Sequence, residues 1–279
     1  MRRERVADDI YVFISERYAQ VTMGVILTEE GAIVIDTLPF PQETREVLDF
    51  IQHLASQGVR YVINTHHHAD HTYGNSTFAD AEIIAHRFCR ETLARMGAES
   101  LAQAKEQTPD LAEVELRLPD ITFETELYIH LGQRTLHLIH TPGHTADSIV
   151  VMVEGDKILF TGDIVMPVPY IVGGDREAFV KSLQQVQELK PENIVQGHGD
   201  ILLRGELRQD IEDNIHYLEA IQERVKKLVD SNASESRLSH IDIETCGKSR
   251  IPLDGLVRQL HQANLTFLYR KLKAQKRKK

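Results

Sequence analysis

The segment Thr65-His66-His67-His68-Ala69-Asp70-His71 places four imidazoles and a carboxylate within seven positions. Stripped of spacers it reads His66-x-His68-x-Asp70-His71. Alternate residues of an extended loop point to one side, so His66 and His68 can reach one metal ion. Asp70 and His71 then fall beside it, where a second ion could sit. Imidazole and carboxylate are borderline-to-hard ligands that suit zinc, with iron and manganese as rivals. His67 is expected to point away, as a packed or hydrogen-bonded side chain.

Four residues do not fill two metal sites. Three later positions have the right chemistry: His144 in Thr141-Pro142-Gly143-His144-Thr145, Asp163 in Thr161-Gly162-Asp163, and His198 in Gly197-His198-Gly199-Asp200. Each follows a predicted strand and has glycine beside it, which lets backbone approach a crowded site. A single histidine after a strand is usually structural; the set taken with the first string points to metal.

The elements that would position these residues are readable from periodicity. Short apolar runs at 10–14, 21–27, 32–35 and 60–63 read as strands, and the last leads into Asn64-Thr65-His66. A helix is predicted over 42–57, opened by Pro41 and closed by Gly58. Another strand at 83–85 and an amphipathic helical stretch at 87–107 follow. The second half repeats the order, with strands at 126–131, 134–139, 148–153 and 157–160, a helix at 176–189 and a strand at 193–195. Two sheets packed face to face with helices outside, a four-layer αββα sandwich of the α/β (α+β) class, satisfy this pattern. Helices are predicted at 207–229 and 253–273, packed on the core, with a homo-oligomer contact as the other reading. The expected division is a catalytic domain over 1–230 and a helical extension with a basic tail over 231–279.

The chain resembles the metallo-β-lactamase superfamily, in the group with an aspartate bridging two metals. The resemblance covers about residues 8–200 and is carried by Asp36 after the strand at 33–35, the His-x-His-x-Asp-His string, and the blocks at His144, Asp163 and His198. It implies that His66, His68 and His144 hold a first zinc, that Asp70, His71 and His198 hold a second, and that Asp163 bridges both. Asp36 would orient the site from behind its ligands; a cap or turn role is the alternative. Two such cations lower the pKa of a shared water, so that hydroxide forms near neutral pH with no serine or cysteine nucleophile. Asp70 can orient that nucleophile as well as bind metal.

The resemblance also narrows the substrate. Glyoxalase II-type thioesterases usually carry a cysteine- and arginine-containing stretch after the bridging aspartate and a Gly-His-Glu-Tyr-type final block. Here stand Val165-Met166-Pro167-Val168-Pro169-Tyr170 and Gly197-His198-Gly199-Asp200, which argues against a glutathione thioester. The chain is more similar to the broad β-lactamase-like group with a C-terminal His-x-x-Asn-Leu pattern, here His261-Gln262-Ala263-Asn264-Leu265. Hydrolysis of a small carbonyl compound is the expected activity: a lactam, lactone, ester or thioester. The alternatives are an iron-dependent oxygenase or redox protein, phosphodiester or nuclease chemistry, and a binding protein without turnover. The segments 167–174 and 18–22 are candidates to line the pocket. Tyr170 can donate to a developing oxyanion or simply pack a loop.

Composition sets the remaining expectations. A net charge of -10 argues against nucleic acid, the basic tail from Lys271 to Lys279 being a local exception. Two distant cysteines, Cys89 and Cys246, make no disulfide framework and read as core or half-buried thiols. No signal peptide and no membrane-spanning run is read, so a small-molecule substrate and a cytoplasmic location are expected.

Overall fold

The computed structural model describes residues 1–277, so Lys278 and Lys279, the end of the basic tail, lie outside the described residues. Along the chain come β1 (Arg2–Ala7), β2 (Ile10–Ile14), β3 (Thr22–Thr28), β4 (Gly31–Ile35), α1 (Pro41–Leu54), β5 (Val59–Ile63), α2 (Ala69–Thr72), β6 (Glu82–His86), α3 (Arg87–Thr92), α4 (Ala98–Gln107) and β7 (Ile121–Phe123). They continue with β8 (Glu126–Leu131), β9 (Arg134–His140), β10 (Ile149–Val153), β11 (Ile158–Phe160), α5 (Arg176–Glu188), β12 (Asn193–Val195), β13 (Ile201–Leu203), α6 (Leu207–Asp230) and α7 (Val257–Arg277).

One sheet runs β1-β2-β3-β4-β5-β6-β7 and the other β13-β12-β11-β10-β9-β8. β4 to β7 pair in parallel, as do β11 and β12. The period-two alternation of the strands decides which residues meet. Ile33 and Ile35 face the second sheet and join Leu136, Leu138, Val151 and Phe160 in the inter-sheet core. Ala32 and Val34 point the other way, onto Val47 and Ile51 of α1. On the far side Val150, Met152 and Leu159 pack on Phe179 and Leu183 of α5, Leu218 and Ile221 of α6, and Leu265 and Leu268 of α7. These are the four layers that the periodicity implies. The sheets approach so closely at Gly24 that a Cβ there would lie 2.3 Å from Phe160 Cε1.

Three strands escape the sequence pattern. β1 is a charged edge strand, RRERVA, whose polar side chains suit an exposed edge and erase the apolar alternation. β7 and β13 have only three residues each. The helical stretch at 87–107 is divided by a π-helical segment, Leu93–Gly97. The last helix begins at Val257, later than its spacing predicts, because Leu253, Asp254 and Gly255 all adopt left-handed backbone before it. Cys89 and Cys246 are both buried free thiols. Among the described residues no helix is long and apolar enough to cross a membrane.

Candidate metal centre

Site residues lie just past the carboxyl ends of strands in both sheets. Asp36 follows β4, His66 follows β5, His144 follows β9, Asp163 follows β11 and His198 follows β12. An antiparallel bridge between Val21 and His198 ties the two sheets together at this edge. The stretch 66–68 is not helical, but Asp70 and His71 sit on the single turn of α2 rather than on an extended loop. That turn lets two consecutive residues reach the same cluster.

The seven residues form two groups whose donor atoms lie within 4.8 Å of one another: His66, His68, His144 and Asp163 in one, and Asp70, His71 and His198 in the other. Asp163 joins them. Its Oδ2 lies 3.4 Å from His144 Nε2 and 3.9 Å from His66 Nε2, while its Oδ1 lies 3.3 Å from His71 Nε2 and 3.4 Å from His198 Nε2. Asp70 Oδ2 approaches His198 Nε2 at 3.3 Å.

Four imidazoles are oriented through Nδ1. His71 Nδ1 donates to Asp36 Oδ2 at 2.9 Å, His144 Nδ1 to the Tyr170 carbonyl at 2.7 Å and His198 Nδ1 to the Ala19 carbonyl at 2.9 Å. Thr65 Oγ1 donates to Asp36 Oδ2 at 2.7 Å, so at 3.1 Å it accepts from His66 Nδ1. In the neutral, ligating rings these partners select the tautomer that leaves each Nε2 lone pair facing the cluster. His66 Nε2, His71 Nε2 and Asp163 Oδ1 are buried with no hydrogen-bond partner. Orphaned buried donors and acceptors are costly, and two cations, one in each group, would satisfy all three. The residues therefore fit a metal pair.

The electrostatics agree. Burial pushes the His66 and His144 imidazoles down and His68 down to about 3, which favours the neutral, ligating form. Burial opposes charge at His71 and His198 as well, but at His71 the Asp36 and Asp70 carboxylates outweigh it, and at His198 Asp163 and Asp70 raise the imidazole to about 10. In the metal-free chain these two imidazoliums supply the positive charge that the carboxylates demand.

Asp36 is buried, with left-handed backbone at φ 57. It accepts from Thr65 N–H at 2.7 Å, from the Thr65 hydroxyl and from His71. It thus braces two histidine-bearing segments, as a positioning residue would. Two glycines permit the packing: a Cβ at Gly197 would lie 2.1 Å from Asp163 Oδ1, and one at Gly162, where φ is +47, would lie 2.3 Å from Thr65 Oγ1. His67 turns away and hydrogen-bonds Asp147 at 2.7 Å, as expected.

A cavity of about 210 Å³ opens onto this cluster, lined in part by Tyr18, Ala19, Met166 and Tyr170, three of them from the two expected segments. It is also lined by Leu253, Leu256 and Leu260, which periodicity assigns to core packing. Nothing in an i, i+4 leucine spacing separates a core face from a cavity wall. Asn264, which the sequence offers only as part of the C-terminal His-x-x-Asn-Leu pattern, also reaches this site: its Nδ2 donates to the Pro169 carbonyl at 2.7 Å and its Oδ1 accepts from Ile171 N–H at 2.9 Å. The segment bearing Tyr170 is clamped from both sides.

A family model described as the metallo-beta-lactamase superfamily matches residues 18–198. The chain is 28% identical over 172 residues to Beta-lactamase-like protein 2 homolog of Drosophila melanogaster, covering 61% of this chain and 55% of that one. It is 29% identical over 147 residues to thioesterase pkgB of Emericella nidulans, covering 52% and 36%. The match thus spans only about half or less of these curated relatives. A solved metallo-beta-lactamase family protein from Thermus thermophilus superposes with a TM-score of 0.73 at 17% identity, covering 97% of this chain and 95% of that one.

Proposed function

The chain belongs to the metallo-beta-lactamase superfamily, and from that premise we propose that it is a dinuclear zinc hydrolase of small carbonyl compounds: lactams, lactones, esters or thioesters. The observation that carries this reading is Asp163, whose two carboxylate oxygens turn to two separate groups of imidazoles. His66, His68 and His144 would hold one ion, Asp70, His71 and His198 the other, with Asp163 between them. When bound, such ions polarise a carbonyl oxygen and make water nucleophilic near neutral pH. Iron and manganese would use the same donors. The similarity to a protein named a thioesterase favours a thioester within this range.

The protein's own groups do the positioning. Asp36, Tyr170 and Ala19 fix the imidazoles through Nδ1, so the donor set is organised before substrate arrives. Asp70 lines the cavity; burial opposes its charge, yet His71 and His198 hold its carboxyl well below the usual range. It remains an acceptor that can orient an attacking water. The Asp70 charge pushes the Tyr18 phenol up to about 12, and burial raises Tyr170. Both phenols therefore keep their protons and can donate to a developing oxyanion. In the net reaction with a thioester, water oxygen bonds to the acyl carbon, the C–S bond breaks and the thiolate leaves with a proton.

Chromogenic thioester, lactone, lactam and phosphodiester substrates, each assayed with zinc and after chelation, test the reading. Zinc-dependent cleavage of at least one carbonyl substrate is expected. Cleavage of the phosphodiester alone, or of none, would overturn it.

A further inference from the structure

Three features of the C-terminal segment converge on the cavity. First, Leu253, Leu256 and Leu260 stand in its wall together with Met166, and none of the lining residues is a lysine or arginine. Second, Leu253 enters that wall through backbone that a leucine rarely adopts: Leu253, Asp254 and Gly255 have φ of 53, 53 and 85. Such conformations persist only where surrounding structure enforces them, and they cluster at functional sites. Third, the segment is anchored from within and from the helix that continues it. Val257 and Leu265 are fully buried in the helical core, and Asn264 bonds the backbone flanking Tyr170.

We propose that residues 253–260 form a specificity wall that admits short, uncharged, apolar acyl groups and rejects acyl groups bearing a carboxylate. The proposal rests on the hydrolase reading above and names its substrate class. A carbonyl held at the imidazole-carboxylate cluster points its acyl chain along the cavity, where leucine methyls and the Met166 thioether offer apolar contact. A second carboxylate on that chain would lose its water against the leucine wall and find no lysine or arginine there to pair with. The volume, about 210 Å³, lies below the range usual for drug-sized ligands and fits a short chain.

The test compares butyryl and succinyl thioesters of one thiol, N-acetylcysteamine, with the zinc-loaded full chain. In parallel, calorimetry measures binding of pentanohydroxamate and of succinic acid monohydroxamate, whose common head group anchors to zinc whether or not the protein turns substrate over. The neutral member should be preferred by about 100-fold in both assays. Leu256→Arg, which puts a guanidinium on the wall, should narrow the preference at least tenfold. Leu256→Ala should raise KM for a hexanoyl thioester more than for an acetyl one, and this serves if the arginine variant fails to fold. Equal binding of the two hydroxamates overturns the wall alone. A retained hydroxamate preference with no thioester turnover upholds the wall and overturns thioester hydrolysis. Failure of both hydroxamates to bind overturns both.

Discussion

The Asn264 side-chain amide holds the peptide on either side of Tyr170, donating to the Pro169 carbonyl at 2.7 Å and accepting from Ile171 N–H at 2.9 Å. The carbonyl of Tyr170, between these two bonds, accepts from His144 Nδ1 at 2.7 Å. A residue of the last helix thereby sets the orientation of an imidazole far away in sequence. Tyr217 completes the clamp: its hydroxyl accepts from Asn264 Nδ2 at 3.1 Å and lies 2.9 Å from His261 Nδ1.

Replacing this clamp should therefore be felt at the metal cluster. Asn264→Ala is expected to weaken zinc binding about 10- to 100-fold, the usual effect of removing a group that orients a ligand. Chelator competition on the folded variant measures this. Unchanged affinity would show that the Tyr170 segment holds its place without the amide.

Asp36 makes the corresponding test on the other side of the site. Asp36→Asn keeps the shape but loses one acceptor among three buried donors: the Thr65 amide, the Thr65 hydroxyl and His71. The expected cost is about 1–3 kcal/mol of folding stability, together with weaker zinc binding. Denaturant unfolding and metal titration read the two effects separately. A variant with wild-type stability and affinity would reduce Asp36 to a turn residue.

Metal loading should release protons. Despite burial, Asp163 and Asp70 hold His198 near 10, and carboxylates raise His71 also, against an ordinary value near 6.5. At pH 7 both are protonated in the metal-free chain, and both must become neutral to bind metal. Zinc binding should then release on the order of two protons, and affinity should rise with pH up to about 10. Calorimetry in buffers of different ionisation enthalpy counts the protons. An affinity that falls between pH 6 and 8 would contradict the assignment.

Gly24 offers a control remote from the chemistry. A Cβ there would meet Phe160 at 2.3 Å, so Gly24→Ala should cost about 1–3 kcal/mol by overpacking between the sheets. Thermal unfolding measures it, and a neutral effect would mean that the inter-sheet packing is looser than described.

How much of this was legible in the sequence follows from the physics of each part. Strands such as β4 and β10 announce themselves because they are buried from end to end, and glycines beside His144, Asp163 and His198 mark crowded backbone. β1 was hidden because an exposed edge needs charge more than alternation. The αββα layering and the convergence of the seven proposed ligands follow from a pattern spread over the whole chain. The roles of Leu253, Leu256 and Asn264 do not, because each depends on where the last helix folds back. Leu253 in particular sits in a left-handed conformation that no leucine signals.

Metal content of the purified full chain and of Asp163→Ala, measured by elemental analysis after equilibration with zinc, tests the central claim most directly. About two zinc ions per wild-type chain, and no more than about one in the variant, are expected if Asp163 spans two sites. A wild-type chain that retains one ion or none, or an Asp163→Ala chain that still holds two with undiminished affinity, would contradict it.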